Sequence, residues 1–252
     1  MKSAVWFAIA AVLSFPLASK SQTVDDIIAK NAQARGGLEK LHAIKALRIT
    51  ARVSEDDFRA IYRQENKRDD KVREETLFQG MARVRAYDGH TAWQINPFGG
   101  RRDPELISVD ESKTLIDSAD VEGPLVDYKQ KGHTAELIGH DPVEGTDCYK
   151  IKLTLKDGDV RYYYLDTDSF LEIKYESQVR IRGAIRYTET LLGDYEQVEG
   201  VYFPFAIQRG ETGSEERTTY TVQKIEVNVA LDDSQFSLPG TKNEAKPAAA
   251  TK

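Results

Sequence analysis

Four histidines, one cysteine and a large set of carboxylates are the groups in this chain able to move protons, attack an electrophile or hold a metal. His42, His90, His133 and His140 are scattered over a helix end, a hairpin tip and loops. His133 and His140 flank one short alternating segment with Glu136 and Asp141 nearby, a set suited either to a weak surface metal site or to plain loop duty. Cys148 is the only cysteine, so no internal disulfide forms. A thiol within a strand-like alternation, with no histidine close in sequence, reads as an inert packed side chain. The carboxylates alternate with Lys and Arg, as in Glu172-Ile173-Lys174-Tyr175-Glu176, which is the pattern of cross-strand charge pairing on a wet face. Nothing singles out one pair for acid–base work. The chain has no G-x-S-x-G, no H-E-x-x-H and no glycine-rich phosphate loop. No catalytic residue, metal ligand or cofactor is expected, and the chain reads as a non-enzyme.

Aromatic and aliphatic side chains are the remaining functional material. Trp93 comes after the turn Asp88-Gly89 and alternates with Ala92 and Gln94, which suits core packing or ligand contact. Tyr162, Tyr163 and Tyr164 put two rings on one strand face and one on the other; sheet packing explains them as well as a binding role does.

The elements that carry these residues are mostly strands. Ile151, Leu153 and Leu155 alternate with Lys152, Thr154 and Lys156, the two-residue period of a strand with one buried face. Asp157-Gly158-Asp159 and Asp166-Thr167-Asp168-Ser169 reverse the chain on either side of Val160–Leu165. Gly183, Gly193, Gly200 and Gly210 punctuate the later residues, so 135–229 reads as an antiparallel meander. Earlier strands fall at 46–53, 58–62 and 72–78, and after them comes a hairpin through Asp88-Gly89. The stretch Asn96 to Glu105 reads as an irregular loop of about ten residues with Phe98 at its centre. Thr23-Val24-Asp25-Asp26 opens a helix with Ile27, Ile28 and Ala32 on one side, ending at Gly36-Gly37; this stripe either seals a sheet edge or lines a lipid site. Two helices are expected midway, Glu111 to Ser118 and Pro124 to Lys131, lying across the sheet as a lid or plug.

Residues 1–21 have the form of a secretory leader, with Lys2 before the apolar run Val5 to Leu13, too short to span a bilayer. No cysteine comes directly after that run, so no lipid anchor is expected. Residues 22–239 make one domain and 240–252 a disordered tail. The net charge of −6 argues against a nucleic-acid partner.

The order of motifs, KNAQARGGLEKLHAIKALRI, YDGHTAWQINPFGG, ESKTLIDSADVEGPLVDY, VEGTDCYKIKLTL, YYYLDTDSFLEIK, GDYEQVEGVYFPF and KIEVNVALDDSQF, resembles a divergent branch of the outer-membrane lipoprotein-sorting proteins, the LolA/LolB-like fold. The resemblance implies a mainly β chain: a strongly curved, open antiparallel sheet, or half-barrel, with an N-terminal helix and a central helical insert over an apolar cavity on the concave face. It implies a monomeric periplasmic carrier or chaperone that shelters acyl chains of lipoproteins or lipids between membranes, working with inner- and outer-membrane partner proteins. The alternative is an envelope sensor or protein-interaction module on the same scaffold. With about 0.8 kcal/mol per CH₂ at stake, such a cavity needs apolar walls. Its candidate lining is Trp93, Ile95, Phe98, Leu115, Ile116, Leu125, Val126, Tyr162, Tyr164 and Ile173.

Overall fold

A computed structural model describes residues 22–240; the expected leader and nearly all of the expected tail lie outside the described residues. The described chain opens with helix α1 (Val24–Ala34), whose Thr23 and Asp26 satisfy each other's backbone N–H in a capping box. A short helix α2 (Leu38–Ala43) comes next. Gly36 between them, at φ +126°, is required by proximity: a Cβ there would stand 2.4 Å from the Gly200 carbonyl oxygen.

The described residues then run through thirteen strands: β1 (Ala46–Glu55), β2 (Phe58–Lys67), β3 (Lys71–Phe78), β4 (Met81–Asp88), β5 (Ala92–Asn96), β6 (Arg101–Leu106), β7 (Thr134–His140), β8 (Cys148–Thr154), β9 (Val160–Asp166), β10 (Glu172–Ile181), β11 (Ala184–Val198), β12 (Val201–Glu211) and β13 (Thr218–Val227). They form one antiparallel sheet in the order β6-β5-β4-β3-β2-β1-β13-β12-β11-β10-β9-β8-β7, open at both edges. Two meanders are thus zipped together through the β1–β13 pair. The edge strands β6 and β7 are neighbours in sequence, and the segment joining them carries helix α3 (Val109–Ser118), capped by the Ser108 hydroxyl.

That helix measures the curvature. It touches β3, β4 and β5 on one arm of the sheet and β10 on the other. Strands β3 and β10 would stand roughly 30 Å apart in a flat sheet, whereas ten helical residues extend only about 15 Å. The sheet therefore folds round the insert as a half-barrel.

Apolar residues occupy both sides of it. On the concave side, Leu47, Ala51, Val222, Ile225 and Phe203 pack with Leu41 of α2, with Ile44 just after it and with Val126, while Ile27 and Ile28 pack with Leu125, Ile151, Leu153, Tyr163 and Leu165. On the convex side the segment after β13 covers Trp93, Val84 and Ala86 through Leu238, and covers Ala46 through Leu231 and the fully buried Phe236.

Two sequence expectations are corrected. The stretch from Asn96 to Glu105 is not a free loop: after a 3₁₀ turn at Pro97–Gly99 it becomes β6, which tolerates Pro104 because an edge strand needs hydrogen bonds on one side only. Pro124 to Lys131 forms consecutive turns instead of a helix, with Asp127 at φ +53° breaking any helical run.

Phe236→Ala should lower stability by about 3–5 kcal/mol and shift Trp93 emission to the red, because the indole N–H donates to the Phe236 carbonyl at 2.7 Å and shares its cover. Urea unfolding monitored by fluorescence checks both.

Candidate functional site

Register places one row of side chains along the floor of the half-barrel. Ala51 faces Tyr62 and Val222; Val53 and Ile207 face Tyr220; Ile207 faces Leu192; Arg209 faces Thr190; and Thr190 and Tyr163 both face Tyr175. The centre of this floor is apolar, and its members Ile49, Tyr62, Phe205, Ile207 and Tyr220 remain only half-buried. Tyr62 and Tyr220 meet edge to face at 5.2 Å.

Two cavities flank the insert. A space of about 200 Å³ lies between it and the floor, walled by Leu47, Ile49, Leu125, Tyr163 and Phe203 but also by Gln64, Asn66 and the Arg35–Glu172 pair at 3.9 Å. Burial pushes the Glu172 carboxyl above its ordinary range, against the pull of Arg35 and Arg161. A second space of about 500 Å³ opens beside α3 towards the β8–β9 turn, with Ile116, Val121 and Leu155 among Lys113, Asp117, Lys131, His133 and Arg161. Small-molecule sites run roughly 300–1,000 Å³, a range that includes the larger space. The hollow is thus amphipathic, which corrects the expectation of a purely apolar one.

The insert is held differently on its two sides. Leu115, fully buried, packs with Val72, Ala92 and Ala119 against the β3–β5 arm. On the other arm the contacts are ionic: Lys113 to Asp159 at 2.9 Å and Asp157 at 3.4 Å, Asp117 to Arg161 at 2.6 Å, and Glu111 to Arg182. Within the hollow, burial acts to raise the Tyr175 phenol, but the guanidinium groups of Arg209 and Arg161 outweigh it and hold the phenol below its ordinary value.

The candidates chosen from sequence are distributed unevenly. Ile116 and Leu125 line the two cavities. Leu115 and Val126 are packed under the insert. Phe98 is exposed at a hairpin rim, its ring 6.1 Å from Phe78, which in turn lies 4.6 Å from Phe58. The other five lie on the convex face: Trp93 and Ile95 under the C-terminal segment, and Tyr162, Tyr164 and Ile173 with Val143, Cys148 and Leu191. There Lys150 and Lys174 stand over the Tyr164 ring at 5.0 and 4.2 Å. The floor residues Ile49, Tyr62, Leu192, Phe205, Ile207 and Tyr220 are not among those candidates. The alternation Phe203, Phe205, Ile207, Arg209 was their visible signal.

Cys148 is fully buried and its thiol is pushed up by burial. His42 pairs with Asp127 at 2.7 Å and His140 with Asp147 at 3.0 Å, while His133 accepts the Lys156 N–H at its Nδ1. Among the described residues no three His, Cys, Asp or Glu side chains are grouped to hold a metal, and no helix is long and apolar enough to cross a membrane.

A family model described as "Uncharacterized protein" matches residues 108–240. No curated protein matches the chain. Among solved structures, a LolA superfamily protein from Nitrosomonas europaea aligns with TM-score 0.57 at 14% identity, over 85% of this chain and 97% of that one. A DUF1329 family protein from Desulfovibrio piger gives 0.58 at 12%, over 86% and 98%. An outer membrane lipoprotein-sorting protein domain from Vibrio parahaemolyticus gives 0.56 at 13%, over 84% and 94%. The half-barrel with its insert is therefore the LolA-type fold.

The site generates two measurements. Lys113→Met removes two of the ionic contacts and should speed hydrogen exchange of the α3 amides by about three- to tenfold, as loss of roughly 1 kcal/mol implies, with β11–β13 unchanged. Desolvation, helped by Lys131, lowers the His133 pKa. Its neutral ring is favoured in the folded state, so its contribution is present above the unfolded value near 6.5 and is lost as pH falls below it. His133→Gln should flatten that part of the stability profile between pH 7 and 5, read by urea midpoints.

Proposed function

The chain belongs to the family described as "Uncharacterized protein" and is built on the LolA-type sheet, and from that premise we propose that it is an exported, periplasmic carrier that shelters acyl chains of a lipid or lipoprotein on its concave face during passage between membranes. It works by reversible burial without bond chemistry. The observation that carries this reading is the floor itself: Ile49, Phe205, Ile207, Tyr62 and Tyr220, from four adjacent strands, stay half-exposed inside the hollow, whereas the apolar residues Trp93, Val84 and Ala86 of the outer face are buried under the C-terminal segment. A chain that covers Trp93 and leaves this row open has an apolar surface waiting for a partner.

Magnitude supports the reading. Sheltering ten methylenes is worth roughly 8 kcal/mol before the costs of association; about 8 kcal/mol of net binding would be micromolar, so with those costs paid a single such chain is held more loosely than that, and reversibly. The rim supports it too. Phe58, Phe78 and Phe98 cluster at the hairpin tips with the exposed Met81, giving an apolar lip over which a tail can enter. Opening would separate the ionic side of α3 while Leu115 keeps its other side seated.

The test is to incubate delipidated protein with diacyl-lipid vesicles and, separately, with a triacylated peptide, then recover it for native mass spectrometry. Bound acyl compound in the wild type, reduced at least tenfold by Ile207→Gln with little change in melting temperature, is the expected result; recovery of none from either source sinks the proposal. Transfer to acceptor vesicles separates a carrier from a sensor, which would bind without handing on.

A further inference from the structure

Arg209 is out of place in a greasy floor. It sits on β12 in the row that continues Phe203, Phe205 and Ile207, and it is exposed within the concavity. Its Nη2 donates to the Tyr175 hydroxyl at 3.1 Å and its Nε to the Thr190 hydroxyl at 3.4 Å. Among the described residues no carboxylate lies within ion-pair distance of it, whereas Arg161 has Asp117 at 2.6 Å and Arg85 has Glu74 at 3.6 Å. The neighbours of Arg209 are phenols: Tyr175, and Tyr220 with Tyr62 against it. Because Tyr175 accepts from Arg209, its own proton is left for another acceptor.

We propose that Arg209, with the hydroxyls of Tyr175 and Tyr220, binds the anionic group, phosphate or carboxylate, of the amphiphile whose tails lie on Ile49, Phe205 and Ile207. This rests on the acyl-binding reading above and names the ligand class for the same hollow. The argument is one of desolvation. A neutral lipid laid along this floor strips water from an unpaired guanidinium and returns nothing, a penalty that makes the hollow poor for such a ligand. An anionic one replaces the water with a charge-assisted pair, for which the planar guanidinium fork is suited. The depressed phenol of Tyr175 shows the same preference for negative charge at this place. Arg83, opposite on the concave face of β4 and also without an ion pair among the described residues, adds to the positive field felt at Tyr220.

Titration calorimetry on the full chain tests this with short-chain phosphatidylglycerol, the diacylglycerol of the same tails, and inorganic phosphate. Wild type should prefer phosphatidylglycerol over diacylglycerol by about tenfold or more, and the preference should shrink as salt rises from low to half-molar. Arg209→Gln should abolish the preference, with phosphatidylglycerol bound more weakly and diacylglycerol more tightly as the guanidinium's desolvation penalty goes, and Arg209→Lys should restore part of it. Equal binding of the two lipids by wild type, or a preference unmoved by both Arg209 variants and by salt, overturns the inference and leaves the acyl-binding reading standing. Phosphate binding that Arg209→Gln removes, with neither lipid bound, keeps the anion site and overturns the acyl-binding reading. Binding of none of the three overturns both.

Discussion

The two free edges of the sheet are consecutive strands, and the rest of the molecule is built around that constraint. The residues joining β6 to β7 must cross from one rim of the sheet to the other. The crossing stays within the hollow because the sheet bends: α3, about 15 Å long, meets β3, β4 and β5 on one arm and β10 on the other. The insert and the curvature therefore support each other: α3 packs Leu115 on one arm and aims Lys113 and Asp117 at the other, adding its cover to that of Ile27 and Ile28 on the inner face. The hydrogen-bonded ladder continues through the β1–β13 pair, with one register shift at Thr50/Ala51, so bending one arm carries the other with it.

Polarity keeps the resulting hollow from closing. A concavity lined only by Ile, Phe and Val would gain by collapsing, since buried apolar surface is favourable and interiors pack densely. Here the apolar floor is interrupted by Arg161, Arg209, Gln64 and the Arg35–Glu172 pair, polar groups whose desolvation opposes collapse. The convex face solves the opposite problem. Its aliphatic residues near β4 and β5 are covered by the C-terminal segment, and its tyrosines beside β8 and β10 lie beneath lysine ammonium groups, so the apolar surface on that side is shielded from water.

Much of this architecture is written locally. The two-residue period of Ile151-Leu153-Leu155, the Asp157-Gly158 and Asp88-Gly89 reversals, and the Thr23–Asp26 capping box each depend on neighbours a few residues away, so each is readable from the chain and each forms. Local rules misjudged two places. Pro104 argues against a strand unless one knows that the strand is an edge, which is a fact about pairing partners. Residues 124–131 have the composition of a helix, but His133 hydrogen-bonds back to Tyr128 and the segment coils into turns over the floor.

The side of the sheet was beyond local rules. Alternation tells that Tyr162 and Tyr164 share a face and that Tyr163 has the other; it does not tell which face is inside. Both faces of this sheet carry apolar residues, one beneath the helices and one beneath the C-terminal segment, so hydrophobicity could not break the tie, and Trp93 with Tyr162 and Tyr164 pointed outward. Strand, turn and helix start are properties of short stretches of chain and were available before folding. Which surface became the hollow, and that an arginine without a carboxylate partner would stand in it, depended on the direction of the bend, a cooperative outcome of contacts between residues more than a hundred positions apart.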